Sequence, residues 1–588
     1  MSKGLVNGGT VVAKLQLFAK IAENSQVTYD FTENPQWLER TVEGELVILT
    51  PPLPMDQVYF LREQLLHSTF GKVIRGWFLC VSKETLLVWL LRKFKVSYPG
   101  FPLLIKHIPV SYSDRTSDSQ TQLVAEIQAL LSGRILLDSQ LFEKLRERGF
   151  WPENARYGLE IGHQKGLVRW WPGIVHERWG VHRCVRCNAF VEETRPCWQC
   201  GRSDCPICIH CEGLGEVRGC SRLLTTIPLA LQLPSPRQSA LTSNLVLKYE
   251  LTTAQQNASN ELMEFLDSDK PKMFVWAACG AGKTEVTFQA IDRVLESGGQ
   301  VLFAIPRRDV VQELAVRLRE SFPTTRVAQH FAGCHWYSEG ALVVATTHQV
   351  LRFYQRFSLV ILDEVDAFPY HGSEMLRYGL TRSLVPGGKL IEMTATPIKC
   401  PSAKGLVTIP ARYHGHPLPV PRFWQVQLPH WDKVVQRSMP QEVVAVLAQS
   451  KQPYLVFVPT VAAAKQVGQY LQSVLSVPVC FCYGGDPERE MKRTGLVSGK
   501  FQIMVATSIM ERGITIPKVQ VMALYSDHPI FDVRTLVQIA GRVGRTAQSP
   551  RGSVWFVGNT ITAGITQAIQ QIEYLNTQAK QQGLLREE

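Results

Sequence analysis

No apolar run in this chain approaches the ~20 residues needed to cross a bilayer. The most lipid-like stretch, TLLVWLL at 85–91, is closely flanked by Lys83, Glu84, Arg92 and Lys93. The first residues, MSKGLVNGGTVVAKLQLFAK, hold no continuous apolar core ending in a small-residue cleavage site, so they do not read as a secretion signal. Low-complexity tracts are missing too, and 45% apolar with 19% charged residues is the make-up of a globular protein rather than a disordered one. Membrane-spanning, exported and fibrous classes are thereby disfavoured, and a cytoplasmic protein is expected. Acidic residues are in deficit, 51 against 63 basic ones, for a formal charge of +12. Such a balance favours a polyanionic partner, nucleic acid before membrane. Charge alone does not separate that from a mildly basic surface.

At 588 residues the chain should hold roughly three to five domains. Residues 1–115 mix short apolar runs with Pro51, Pro52 and Pro54 and read as an accessory α/β region without a chemistry-bearing motif. Residues 116–180 open with apolar positions at three- and four-residue spacing, which predicts helices. They close on LVRWWPGIVHERWG, where Arg169, Trp170, Trp171, Arg178 and Trp179 alternate rings with cations. These side chains either stack on single-stranded bases or brace a small metal domain. After the linker-like LPSPRQSALTSN, β-branched runs alternate with helical patterns to about residue 575, as in parallel sheets flanked by helices. The α/β halves fall at 235–412 and 413–575, with a tail at 576–588.

Eight of the 14 cysteines crowd into residues 184–220 of a predicted 181–222 module: Cys184, Cys187, Cys197, Cys200, Cys205, Cys208, Cys211 and Cys220. In a reducing compartment disulfides are disfavoured, and no thioredoxin-like βαβ context surrounds the pairs. Two-residue gaps aim both sulfurs of a pair at one tetrahedral ion, so eight thiolates would fill two closed Cys₄ sites; Cys205 and Cys208 are also two residues apart, so cross-pairing stays open. An iron–sulfur cluster uses the same ligands, and His182 or His210 could replace a sulfur.

MFVWAACGAGKTEVTF is a strand, a small-residue loop and a helix start. Backbone N–H groups across Ala278, Cys279, Gly280, Ala281 and Gly282 would wrap phosphates, with Lys283 at the β/γ end, Thr284 on Mg²⁺ and Glu285 opening the helix. In FSLVILDEVDAF an apolar strand delivers Asp363, a Mg²⁺ ligand, and Glu364, which polarises the attacking water. LIEMTATP ends in Thr394, Ala395 and Thr396, suited to relaying nucleotide state. Gln255 in LTTAQQ offers an amide to an adenine edge. The second half carries no phosphate loop, but LVQIAGRVGRTA sets Gln538, Arg542 and Arg545 on one face, where guanidinium groups would meet a γ-phosphoryl transition state.

Together, Gln255, GAGKT, DEVD, TAT, ATSIMERG and QIAGRVGR resemble the superfamily 2 helicases. WAACGAGKTE, AIPRRDVVQELAVRL, TTHQVLRF, ILDEVDAFPY, IPARYHGHPLPVPRF and ERGITIPKVQ resemble the late-competence ComFA family over about residues 125–575. The resemblance implies two tandem RecA-like domains behind a zinc module and a small N-terminal α/β region, with ATP, Mg²⁺ and Zn²⁺ as cofactors. It implies a single-stranded-DNA-dependent ATPase and translocase for DNA uptake in natural transformation, peripheral at the inner face of the cell membrane. Its partners would be a ComEC-like channel and a ComFC-like phosphoribosyltransferase-fold protein; oligomerisation stays open. By motif position, Gly513 joins the nucleotide site. Arg307, Arg308, Thr346, Thr347, His348, Gln349, Tyr483, Gly484 and Thr507 would line the DNA. Cys184, Cys187, Cys208 and Cys211 resemble that family's zinc module, which leaves Cys197, Cys200, Cys205 and Cys220 for a second ion. Thr515 stands where DEAD-box proteins carry an aspartate, against an RNA-specific enzyme. The competing readings are a PriA-like replication-restart helicase, whose cysteines interrupt its second half, and a non-enzymatic zinc-dependent DNA-binding scaffold.

Overall fold

The computed structural model describes residues 16–21, 27–32, 45–49, 53, 55–67, 106–108, 118–176, 181–226, 245–333, 338–397, 405–507 and 516–586. Arg178, Trp179, Gly513 and Thr515 lie outside these residues. Two compact units result, one from residues 1–238, 347–357 and 373–386, the other from 239–346, 358–372 and 387–588.

In the first unit, β1 (Gln16–Ile21), β2 (Val27–Thr32), β3 (Glu45–Ile48) and β4 (Lys106–Ile108) form an antiparallel sheet in the order β2-β1-β3-β4. The helix Met55–His67 packs on it, burying Met55, Val58 and Leu61 at helical spacing. Helices Asp118–Leu131, Asp138–Glu147 and Pro152–Gln164 pack together beside a second small sheet. That sheet orders β5 (Leu136–Leu137), β12 (Arg222–Thr226) and β6 (Val168–Pro172) as β5-β12-β6. The cysteine segment is therefore an insertion: β6 precedes it and β12 closes the sheet after it. Within it, β7 (Ile174–His176) pairs with β8 (His182–Cys184), and β9 (Thr194–Arg195), β10 (Cys205–Cys208) and β11 (Val217–Arg218) run in the order β11-β10-β9.

Trp170, one of the candidate base-stacking rings, is 2% exposed. His163 stacks on it at 4.1 Å and the Arg222 guanidinium covers it at 4.3 Å. It braces this unit and offers no face to a base. Trp171 is half-buried with Arg169 over it at 5.3 Å.

The second unit holds two parallel sheets. The first orders β13 (Lys272–Ala277), β14 (Val301–Ile305), β15 (Val327–His330), β16 (Leu342–Thr346), β17 (Phe357–Asp363), β18 (Leu384–Thr394) and β19 (Leu406–Ile409) as β15-β16-β14-β17-β18-β13-β19. The second orders β20 (Arg422–Gln425), β21 (Tyr454–Phe457), β22 (Val479–Cys482), β23 (Ile503–Ala506), β24 (Gln520–Leu524) and β25 (Val554–Gly558) as β20-β25-β24-β21-β23-β22. VLFAI, LVVAT, YLVF and IMVA are buried throughout, as strands covered on both faces must be. Helices start where side chains cap them: Thr252, Thr460, Asp532 and Thr562 each accept a backbone N–H of the first turn. The closing helix Ala563–Gln581 runs past the expected boundary at 575, and Asn576 bonds both ways to Leu418.

Candidate active site and metal centres

Strand order gathers the first half's chemistry at one sheet edge. β17, β18 and β13 are neighbours, so the acidic box, the TAT segment and the phosphate loop leave the carboxyl ends side by side, where open α/β sheets bind ligands. Gly280 and Gly282 hold φ of 85° and 76°, a region closed to most side chains. The Lys283 ammonium lies 3.1 Å from Asp363 Oδ1. Burial works against its charge, but the carboxylates of Asp363, Glu364 and Asp366 hold it above its ordinary pKa. Glu364 takes a left-handed φ of 56°, its N–H donating to Asp363 Oδ1 at 2.8 Å.

Asp366, the last residue of DEVD, joins the acidic box to the TAT segment. Its two carboxylate oxygens accept the hydroxyls of Thr394 at 2.5 Å and Thr396 at 2.7 Å. Its carbonyl accepts Arg534 Nη1, from the second half, at 3.1 Å. The acidic box thus holds the TAT segment directly.

The second half brings helix Val533–Ala540 against the phosphate loop. Cys279 Sγ lies 3.8 Å from Gln538 Oε1 and 3.9 Å from Val537 O. A Cβ at Gly541 would stand 2.5 Å from Cys279 Cβ, so this approach requires glycine. Arg545 lines a cavity of about 690 Å³ together with Tyr249, Gln255, Gly280, Gly282 and Tyr413. Burial lowers its pKa while Cys279 and Glu364 oppose the shift. Arg542 is 4% exposed, its Nε donating to Gln538 O at 3.4 Å. Gln255 sits on the cavity wall with both ends of its amide engaged. Nε2 donates to Ala281 O and Oε1 accepts from Thr252 N, both at 2.9 Å; one N–H and one lone pair remain for a base.

In the sequence Arg412 stands out only as part of IPARYHGHPLPVPRF. Buried at 2% exposure, it donates to Cys279 O (2.9 Å), Val543 O (2.7 Å), Gly544 O (2.5 Å) and Gly541 O (3.3 Å). Burial, with Arg545 close by, brings its pKa down to about 10 against the opposing pull of Cys279. It ties the phosphate loop to the arginine-bearing turn. No local pattern signals this, because its partners lie more than a hundred residues away.

The eight clustered cysteines form two quartets in the first unit: Cys184, Cys187, Cys208 and Cys211, and Cys197, Cys200, Cys205 and Cys220. All four sulfurs of each quartet lie within 4.8 Å of one another. Cys184–Cys211 and Cys187–Cys208 are 3.6 Å apart, Cys197–Cys220 3.7 Å and Cys205–Cys220 3.9 Å. A Zn–S bond of about 2.3 Å sets tetrahedral S···S edges of about 3.8 Å, so thiolates in both quartets fit zinc. A disulfide needs about 2.05 Å. His182 is instead 2.9 Å from His176, and His210 is exposed.

Comparison with known proteins follows this division. Residues 119–225 match the family "Competence protein ComFA N-terminal domain", 248–399 "Type III restriction enzyme, res subunit" and 437–547 "Helicase conserved C-terminal domain". Competence protein ComFA of Bacillus subtilis (strain 168) is 31% identical over 406 residues, covering 67% of this chain and 86% of that protein. The chain belongs to the ComFA family. ComFA of Streptococcus pneumoniae (strain ATCC BAA-255 / R6) is 34% identical over 346 residues, 57% of this chain and 79% of that protein. Among solved structures, S. cerevisiae Dbp5 bound to RNA and ADP BeF3 has a TM-score of 0.41 at 17% identity, covering 55% of this chain and 88% of that one. RecG bound to a three-way DNA junction has 0.40 at 20% identity, covering 58% and 49%. The two α/β halves are RecA-like helicase domains, and this ComFA-family chain carries helicase-type ATPase domains in a competence protein.

The residues expected along DNA are placed unequally in this ComFA-family chain. Arg307 precedes helix Arg308–Ser321, whose Arg308 is exposed with its guanidinium 4.9 Å from the Phe331 ring centre. Gly484 and His348 are exposed and Tyr483 is half-buried, 4.9 Å from Lys465 Nζ. Thr346, Thr347, Gln349 and Thr507 are buried, so they shape backbone rather than present side chains. In the first unit, Arg382 joins the short helix Thr347–Arg352 to the first quartet. It donates to Leu351 O at 2.6 Å, to Val185 O at 3.1 Å and to Arg186 O. Each hydrogen bond from a charged group contributes roughly 1.5–3 kcal/mol. Arg382→Ala should therefore cost about 3 kcal/mol in denaturant titration, and a loss under about 1 kcal/mol would contradict these bonds.

Proposed function

We propose that this chain is a single-stranded-DNA-dependent ATPase and translocase that drives DNA uptake in natural transformation. One observation carries the reading: Gly280 and Gly282 of the phosphate loop and Arg545 of the second half line one cavity in a ComFA-family chain. The loop N–H groups and Lys283 hold the phosphates of ATP, and Arg545 places positive charge where the γ-phosphoryl group leaves. Glu364 orients water and takes its proton. Thr284 and Asp363 would hold Mg²⁺, which supplies charge neutralisation at the β- and γ-oxygens when bound. Asp366 passes the state of the acidic box to Thr394 and Thr396, and through its carbonyl to Arg534. Cys184, Cys187, Cys208 and Cys211 would hold zinc, which supplies the folding energy a small insertion lacks.

Arg307, Arg308 and Gly484 contact the sugar–phosphate track without reading bases. The partners proposed on family grounds are a ComEC-like channel and a ComFC-like protein at the inner face of the membrane. No helix of the described residues is long and apolar enough to cross a membrane.

Steady-state ATPase with single-stranded DNA, duplex DNA and RNA tests the reading; single-stranded DNA should stimulate most, and equal rates with all three would refute it. Phosphate contacts release counterions, so binding should weaken with salt with a log–log slope of about −0.7 per contact. Arg307 and Arg308 are the contacts that carry charge, so the expected slope is about −1.4. A flat profile in a fluorescence anisotropy titration would exclude backbone tracking.

A further inference from the structure

We propose that Cys197, Cys200, Cys205 and Cys220 bind a second zinc ion that clasps the N-terminal region onto the cysteine insertion through Asp56; this does not depend on the ATPase reading. The buried apolar cluster at this quartet consists of Cys197, Cys205 and Cys220, with Cys200 packed against it. A lobe whose core is its own thiols has almost no other apolar area to bury, and a closed thiolate site is what folds such a segment.

The lobe that this metal would fix is the seat of a buried carboxylate. Asp56, in the first turn of helix Met55–His67, has a side chain of 0% exposure. One of its oxygens, Oδ2, accepts Arg202 Nη1 at 2.8 Å and faces His176 Nε2 at 3.1 Å. Arg202 follows Cys200 by two residues. Gly219 directly precedes Cys220, and a Cβ there would stand 2.8 Å from the same oxygen and 3.1 Å from Pro206. Pro206 follows Cys205, and its carbonyl accepts Gly219 N at 2.9 Å. Asp56 is thus received by neighbours of two ligands, Cys200 and Cys220, and Gly219 is held in turn by the neighbour of a third, Cys205. A buried carboxylate is costly unless its partners are held in place. The ion holds them, and so holds the helix.

This contact lies outside the family match, which begins at residue 119. A second tether, His163 Nε2 to Asp30 Oδ1 at 3.2 Å, reaches β2 and owes nothing to the quartet. The two tethers give the clasp a local signature: losing the second ion frees helix Met55–His67 before β2.

The test measures zinc per full-length chain by elemental mass spectrometry and amide hydrogen exchange at residues 55–67. Wild type should hold two zinc ions. Cys197→Ser with Cys220→Ser should hold one, with exchange in the helix at least tenfold faster. Arg202→Met leaves all eight thiols in place; it should keep two ions yet speed exchange in the helix by a similar factor, with β2 changed less. If the double variant does not fold, the wild-type stoichiometry and Arg202→Met decide. One zinc per wild-type chain, or helix exchange in Arg202→Met within twofold of wild type, overturns the proposal.

Discussion

Arg545→Ala should lower ATP turnover by about 10³-fold or more, the loss seen when an arginine finger is removed, while ATP affinity stays within about threefold. Its guanidinium comes from the second half and shares a cavity with the loop glycines. In the proposed function its work is to meet charge that grows only as the γ-phosphoryl group departs, so it would add little to ground-state binding. Lys283 and the loop N–H groups are proposed to supply that binding. A kcat measurement paired with nucleotide affinity by calorimetry separates the two. If turnover falls by less than about tenfold, the finger is not Arg545, and Arg542 becomes the residue to test.

Arg412→Lys should lower kcat by about 10²-fold although the charge is kept. The carbonyl of Gly541 accepts both Arg412 Nη2 at 3.3 Å and Arg545 Nε at 3.0 Å. The same Arg412 side chain reaches Cys279 O in the phosphate loop. A lysine ammonium has three donors on one point and cannot span four carbonyls as a planar fork does. The anchor of Arg545 then shifts relative to the loop, and a displacement near 1 Å is worth about 10²-fold. Arg412 acts through Arg545, so a merely structural role would lower the melting temperature without the kcat loss. Comparing kcat at a temperature where both proteins are fully folded distinguishes the outcomes, and an unchanged kcat would reject the positioning role.

Much of the ATP site was legible because its signals are local. Gly280 and Gly282 are demanded by positive φ, Lys283 follows them, and LVIL announces a strand that must end at Asp363. The cysteine cluster was equally legible, but its division was not: two-residue spacing left Cys205 free to pair with Cys208, and the fold sends those two sulfurs to different quartets. The rest depends on contacts far apart in sequence. Trp170 looks like a base-stacking ring beside Arg169 until β12, more than fifty residues later, brings Arg222 over it. Asp366 sits in DEVD, yet its bonds to Thr394 and Thr396 need β17 and β18 as neighbours in space. Arg412 and Arg382 bond almost wholly to backbone carbonyls, which no side-chain pattern reveals. The N-terminal sheet was expected only as an α/β region; its two acidic tethers, Asp30 and Asp56, are isolated residues that gain meaning from histidines and arginines over a hundred positions away.

The central claim is that one half cradles ATP, the other completes the site, and a DNA strand is coupled to the cycle. The most direct measurement is steady-state ATPase of wild type, Lys283→Ala and Glu364→Gln, each with and without saturating single-stranded DNA. Wild type should be stimulated at least tenfold, and both variants should fall by about 10²-fold or more, as expected when a phosphate-binding charge or a general base is lost. The same rate for all three proteins, unmoved by DNA, would contradict the account.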